Sequence, residues 1–307
     1  MYTKNELIKK LNDFYKQRNL NRQIAIKSAY ETLLNNKQFK VCDFNYRKAL
    51  IEISKKENTE EEINKLKVLL KEKYEIAKSL GVDLEKLEND YKCKKCLDTG
   101  INEGIRCECY KKALNYLQIK NCGIEFKDLP AFKDATFNFD EDNLKEIFVK
   151  LEQWCKNYKN SKYRNITLIG GTGVGKTYLS RCMLREFLLN GNNCLYLSSF
   201  NMNNILLKYH TAFENDKNDI IEPLITCDFL FIDDLGTEPV YKNVTIEYLF
   251  LILNERLNLN KHTIITTNLS LKEIKEHYGD RLFSRIINKD TNLTLELSGK
   301  DKRLKTN

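Results

Sequence analysis

Ile166-Thr167-Leu168-Ile169-Gly170-Gly171-Thr172-Gly173-Val174-Gly175-Lys176-Thr177 is an apolar run that passes straight into the pattern G-x-x-x-x-G-K-[ST]. The pattern is a phosphate-binding loop, and its chemistry demands these residue types. Glycines let the backbone curl until successive N–H groups face one set of anionic oxygens. Lys176 reaches the β- and γ-phosphates, and the Thr177 hydroxyl is placed for Mg²⁺. The nucleotide-binding stretch is therefore Gly170, Gly171, Thr172, Gly173, Val174, Gly175, Lys176, Thr177 and Tyr178. A helix from about Lys176 to Asn190 would point its positive dipole end at the same anion.

Working outward, the chain from about Glu146 alternates between strand and helix patterns. Strands are expected at Ile166–Ile169, Cys194–Ser198, Phe229–Ile232 and Thr263–Thr267, with helical stretches between them. Such alternation implies an α/β domain with a parallel sheet covered by helices, and ligands at the carboxyl ends of its strands. Phe229–Ile232 ends in Asp233-Asp234, about 55 residues after the loop, which is the second half of a P-loop NTPase. Asp233 would hold Mg²⁺ and Asp234 would orient or deprotonate the attacking water. A parallel sheet would bring Asn268, at the end of the next strand, to the same edge. Arg281 and Arg285 are four apart and share a helix face, so either could serve as an arginine finger. Spacing alone does not separate that role from a surface salt bridge.

Residues 1 to about 90 read as helical. Leu7, Leu11, Phe14 and Tyr15 recur at helical spacing, as do Ile26, Ala29, Tyr30, Leu33 and Leu34. Thr59 and Glu62 have the spacing of a capping box that opens a further helix. Sustained heptads are absent, so a long coiled coil is not expected. Four cysteines then crowd into 17 positions as Cys93-x2-Cys96 and Cys107-x-Cys109. Four thiolates close a tetrahedral Zn²⁺ site, and the C-x-x-C pair lacks the βαβ context of a redox motif. Cys42, Cys122, Cys155, Cys182, Cys194 and Cys227 stand among apolar residues and read as core.

A length of 307 residues suggests about two domains. With 31% charged and 42% apolar residues, the composition is that of a soluble, helix-rich chain. No apolar run approaches ~18 residues, so no membrane association is expected, and Met1–Glu6 lacks a signal-peptide core. A cytoplasmic location follows as the expectation, with free thiols rather than disulfides. The net charge of +8 fits a nucleic-acid partner only weakly.

Taken together, the stretch from about Phe137 to Arg303 resembles the AAA+ domain of the bacterial DnaC/DnaI replicative helicase loaders, with the transposition helper IstB related to it. The matching elements are the phosphate loop, Phe231-Ile232-Asp233-Asp234-Leu235-Gly236, Thr266-Thr267-Asn268, Asp280-Arg281-Leu282-Phe283-Ser284-Arg285 and Gly299-Lys300-Asp301-Lys302-Arg303. The resemblance implies that Asn268 is sensor 1 and Arg303 is sensor 2. It also implies that Arg285, or else Arg281, is a finger acting on a neighbouring subunit. Asp234 departs from the Glu that many AAA+ proteins carry there. Tyr91–Gly100 also resembles the zinc-bearing end of the N-terminal domain of the DnaI-like loaders. The expected organisation is a helical, helicase-binding domain over 1–115, a linker over 116–140 and the AAA+ domain over 141–307. The implied cofactors are ATP, Mg²⁺ and Zn²⁺. The implied partners are a hexameric replicative DNA helicase, single-stranded DNA and further copies of the chain. Lys208, Tyr209 and Phe213 are candidate strand contacts, against the alternative of a packed amphipathic helix. An IstB-like transposition ATPase is the alternative function.

Overall fold

The computed structural model describes residues 4–54, 60–135 and 144–299. Its contacts divide the chain into two compact units, Lys10–Cys109 and Met1–Lys9 with Tyr110–Asn307.

In the smaller unit one continuous helix, α1 (Lys4–Leu33), carries both of the apolar stripes of the N-terminal sequence. Leu11, Tyr15 and Leu33 are buried, but Phe14 and Leu34 are exposed, so the stripe is narrower than its spacing suggests. Asn36 caps α2 (Lys37–Ile53) by accepting from the amides of Gln38 and Phe39. Helix α3 (Glu60–Ser79) packs against it, and Asp83 caps the short α4 (Leu84–Asn89). Thr59 lies outside the described residues, and the expected capping box with it. A small core of Leu33, Phe39, Ala77 and Leu84 is flanked by Tyr30, Tyr74, Ile76 and Val82. Beside it the buried Lys73 ammonium stands 3.2 Å from Asp43 and donates to the Tyr30 hydroxyl at 2.5 Å. Tyr30 and Tyr74 in turn donate to Glu88. A buried ammonium is tolerable only with such partners. A two-strand ribbon, β1 (Ile101–Asn102) with β2 (Ile105–Arg106), separates the two cysteine pairs.

Helix α5 (Glu108–Asn121) starts at the second cysteine pair. Asn115 donates to the carbonyls of Gly191 and Asn192, Tyr116 stacks on Phe126, and Arg185 donates to the carbonyl of Leu129. Ile119, Leu129 and Phe132 belong to the main core. The stretch 116–135, expected as linker, is therefore part of the packed wall of the larger unit. Its apolar residues do not by themselves say what they pack against, because their partners lie on α6 (Leu144–Asn157) and beyond.

The larger unit then runs β3 (Asn165–Gly170), α7 (Lys176–Leu189), β4 (Cys194–Ser198), α8 (Ser199–Thr211), α9 (Glu214–Thr226), β5 (Phe229–Leu235), α10 (Thr245–Asn258), β6 (His262–Thr267), α11 (Leu271–Ile286) and β7 (Asn292–Leu297). All five strands are parallel, in the order β4-β5-β6-β3-β7. The four strands read from the sequence are present, each within a few residues of its expected ends. The fifth, β7, was legible only as the alternating run Leu293, Leu295, Leu297. Phe229 and Phe231 fill one face with Trp154 and Phe187; Leu230 and Ile232 fill the other with Leu253, Ile265 and Ile274. Burial of both faces is what a parallel sheet under helices requires. This is an AAA+ P-loop architecture. Its strand order sets the ends of β5, β6 and β3 side by side.

At the opposite end of these strands sits Arg256, 0% exposed. Its guanidinium donates to the carbonyls of Leu224 and Cys227 at 2.7 and 3.0 Å, to the His262 carbonyl, and to the Thr263 hydroxyl at 3.1 Å. It thus satisfies the α9 end and the entries to β5 and β6. Arg256→Met should leave several buried carbonyls unpaired, each costing about 1–3 kcal/mol. We expect urea unfolding to show a loss of at least about 3 kcal/mol. A loss below about 1 kcal/mol would show that the carbonyls find other donors.

Candidate nucleotide and metal sites

The phosphate loop hangs between the end of β3 and the start of α7. Gly175 caps that helix at φ 108°, a left-handed backbone that a side chain would strain. The Lys176 side chain, only 5% exposed, turns back under the loop. Its ammonium donates to the carbonyls of Gly170 and Gly171 at 2.8 and 2.7 Å and to Asn268 Oδ1 at 2.7 Å. The pairing of Ile169 with Thr267 across β3 and β6 explains the last contact, since both strands end at the same level. The structure thus brings together Lys176 and Asn268, 92 positions apart in the chain.

The acidic edge closes the other side. Asp233 is buried, and its Oδ1 accepts from the Thr177 hydroxyl at 3.1 Å and from the Thr266 hydroxyl at 2.6 Å. A loop hydroxyl and a carboxylate meeting at one point form the oxygen donor set that Mg²⁺ takes. The residues present fit that ion, with Thr177 and Asp233 as the groups that would hold it. Asp234 adopts φ 57°, a left-handed backbone in a residue that is not glycine. Thr266 Oγ1 accepts from its amide at 2.9 Å, while Ser199 and Thr237 donate to its carbonyl at 2.8 and 2.9 Å. The strained residue is thereby held from three sides at the place where the chemistry is expected. Burial, and then the charge of Asp233, push the Tyr196 hydroxyl pKa upward, so Tyr196 stays protonated beside that carboxylate. Thr266 stood in the quoted Thr266-Thr267-Asn268 stretch without a role of its own, and Tyr196 and Ser199 were not singled out; the strand register alone delivers their contacts.

Arg281 and Arg285 do share a face, as their spacing predicted. The Arg281 guanidinium lies 3.9 Å over the Phe250 ring, and Arg285 donates to Asn254 at 3.0 Å beside the same ring. Their face lies along α10 and is not part of the Lys176–Asp233 constellation. Arg303 lies outside the described residues. Of the candidate strand contacts, Tyr209 packs edge-on against Tyr248, while Phe213 stands 83% exposed where α9 begins.

In the smaller unit the sulfurs of Cys93, Cys96, Cys107 and Cys109 all lie within 4.8 Å of one another. Cys93 and Cys107 are 3.8 Å apart, and Cys96 and Cys109 are 3.4 Å apart. Four sulfurs about 2.3 Å from a shared centre at tetrahedral angles stand about 3.8 Å from each other, so the cluster fits Zn²⁺. The Cys96 amide pulls the Cys93 thiol down to about 7, and burial pushes Cys109 up to about 12. Asp98 organises the knuckle. It is 3% exposed, accepts from the amides of Lys92 and Cys93 at 3.1 and 2.8 Å, and pairs with Arg18 at 2.9 Å. Tyr15 donates to Cys109 at 3.5 Å, Asn19 donates to the Asp98 carbonyl, and Arg22 lies over Tyr91. Metal ligands need such outer partners to fix their orientation. Only the turn-forming Leu-Asp-Thr-Gly run hinted at Asp98.

Comparison with known proteins finds one family and several partial relatives. The family model of "IstB-like ATP binding protein" matches residues 114–305. A curated relative, the chromosomal replication initiator protein DnaA of Wolinella succinogenes, is 27% identical over 186 residues, 58% of this chain and 41% of its own. The chain thus spans about two fifths of that relative's length. Among solved structures, the DnaC helicase loader superposes with a TM-score of 0.48 at 21% identity, covering 56% of this chain and 98% of that one. DnaI superposes with a TM-score of 0.44 at 24% identity, covering 59% and 94%. Among the described residues, no helix is long and apolar enough to cross a membrane.

Proposed function

The chain belongs to the IstB-like ATP binding protein family, and on that premise we propose that it is an ATP-dependent loader of a hexameric replicative DNA helicase onto single-stranded DNA. The observation that carries this reading is the pairing of an ATP site with a separate four-cysteine unit. Tyr91–Gly100 resembles the zinc-bearing end of the DnaI-like loaders, whereas the alternative, an IstB-like transposition helper, is expected to lack such a unit. The likeness to a replication initiator over 186 residues supports the same direction.

In this reading the backbone amides of residues 170–177 hold the phosphates, and Lys176 leaves its carbonyl partners for the β- and γ-oxygens. Mg²⁺, when bound, neutralises charge on those oxygens. Thr177 and Asp233 orient it, and Asp234 aims the attacking water. Asn268, already bonded to Lys176, fixes the γ-phosphate end. The last charge-stabilising group comes from a neighbouring copy, as Arg285 or else Arg281. An isolated chain then hydrolyses ATP slowly, and assembly accelerates it. Residues 1–115 grip the helicase, the AAA+ domain contacts single-stranded DNA, and self-association aligns successive ATP sites.

The test is co-purification of the full chain with the organism's own replicative helicase, with and without ATP, in the presence of zinc. We expect a stable complex that single-stranded DNA and ATP remodel. If the helicase is not retained under either condition, the loader reading fails and the transposition reading replaces it.

A further inference from the structure

We infer that Glu238 and Tyr278 position the arginine-bearing half of α11 from the nucleotide edge, so that each subunit's ATP state sets the finger it presents to its neighbour. This rests on the trans-arginine reading given above. Glu238 lies in the loop after β5 and is 6% exposed. One carboxylate oxygen accepts from the Gly236 amide at 2.9 Å, and the other accepts from the Tyr278 hydroxyl. Tyr278 is itself 2% exposed. Burial, reinforced by Glu238, drives its hydroxyl pKa upward, so it remains a donor throughout the ordinary pH range.

Each end of this link sits at a defined point of the fold. Gly236 follows Asp233 and Asp234 by two or three positions and adopts φ 102°. A side chain there would stand 2.5 Å from Leu269, the neighbour of Asn268. Thr267 also donates to the Leu235 carbonyl at 2.6 Å. The end of β5, which carries Asp233 and Asp234, and the loop after β6, which carries Asn268, are therefore held in close register. At the other end, Tyr278 is the last residue before Gly279, where α11 breaks at φ 76°, ψ 166°. Arg281 and Arg285 lie on the far side of that break. The carboxylate of Glu238 thus spans the interval between the phosphate-sensing loops and a hinge. A shift of the acidic edge is passed to the base of the arginine segment through two hydrogen bonds, with Leu235 and Tyr278 packed in the same apolar cluster. Glu238 and Tyr278 touch no substrate; they are positioning residues.

Subunit mixing with the full-length protein tests the link. Tyr278→Phe removes one hydroxyl and keeps the ring. As the sole subunit it should turn over ATP at least about tenfold more slowly, with ATP-analogue affinity within about twofold of the parent, the pattern of a lost transition-state contact. Asp234→Asn subunits lack the carboxylate that aims the water, so they turn over ATP poorly, but they keep Lys176 and Asp233 for binding ATP and retain their own arginine face. Mixed with Tyr278→Phe subunits, they should restore turnover at the Tyr278→Phe sites. Glu238→Gln is the second variant and should show the same recovery if Tyr278→Phe does not fold. Arg285→Ala and Arg281→Ala, mixed the same way, are the reference. If an arginine variant recovers while Tyr278→Phe is slow and stays slow, the pair merely props up its own site and the inference is overturned. Full turnover by Tyr278→Phe alone overturns it equally. If neither arginine variant recovers, the trans reading itself fails and this inference falls with it.

Discussion

Lys176→Ala should abolish ATP turnover, with a loss of at least about 10²–10³-fold, the range seen when one preorganised charge-stabilising donor is removed. The substitution deletes the ammonium that three acceptors, the carbonyls of Gly170 and Gly171 and the Asn268 amide oxygen, now hold. It therefore removes the phosphate contact and also disconnects the loop from β6. Nucleotide affinity should fall together with turnover. Asp233→Asn provides the contrast. The amide keeps the shape and can still accept from Thr177 and Thr266, but it carries no charge for Mg²⁺. Turnover should drop to a similar degree while nucleotide binding without magnesium stays within a few-fold of the parent. Phosphate release at saturating ATP and titration of a fluorescent ATP analogue measure the two quantities. Turnover within about threefold of the parent in either variant would rule out this constellation as the hydrolytic site.

Removing zinc should unfold the cysteine unit. Structural zinc in small domains contributes about 10–16 kcal/mol of apparent binding energy, more than a domain of this size stores in its core. The core here is small, with Leu33, Phe39, Ala77 and Leu84 at its centre. The knuckle is tied to α1 through Tyr15, Arg18 and Asn19, so its collapse should also loosen that helix. Elemental analysis of protein purified without chelator should give one zinc per chain. A strong chelator should release it, expose four thiols in one step and lower helical circular dichroism. Cys96→Ser should behave as the chelated protein does. Asp98→Ala should retain the metal at lower affinity, about 10–100-fold weaker, because it removes only the outer partner. A metal-free chain with an unchanged thermal transition would refute the zinc assignment.

What could be read from the sequence was whatever the chain builds within a few residues of itself. The phosphate loop is eight consecutive positions, and its function follows from local backbone curvature and one lysine. The acid-tipped strand and the C-x-x-C half-site are equally local. Alternating strand and helix patterns then imposed a parallel sheet, because a strand that is apolar on both faces must be covered on both. Tertiary structure decided the rest. Thr266 and Asp233 are 33 positions apart, Tyr278 and Glu238 are 40 apart, and Lys176 and Asn268 are 92 apart. Tyrosine and glutamate at those places carry no pattern, and Thr266 was only a neighbour of Asn268 in its motif; each is an ordinary residue until strand order brings it to a partner. The same holds for Asp98, which becomes the centre of the knuckle only when Arg18, 80 positions earlier, reaches it, and for Arg256, whose carbonyl acceptors lie in α9, the turn after it and β6. Local chemistry specified the groups proposed to touch nucleotide and metal. The register of the sheet and the packing of α11 specified the groups that hold them, because hydrogen-bond partners far apart in sequence are chosen by topology and not by spacing.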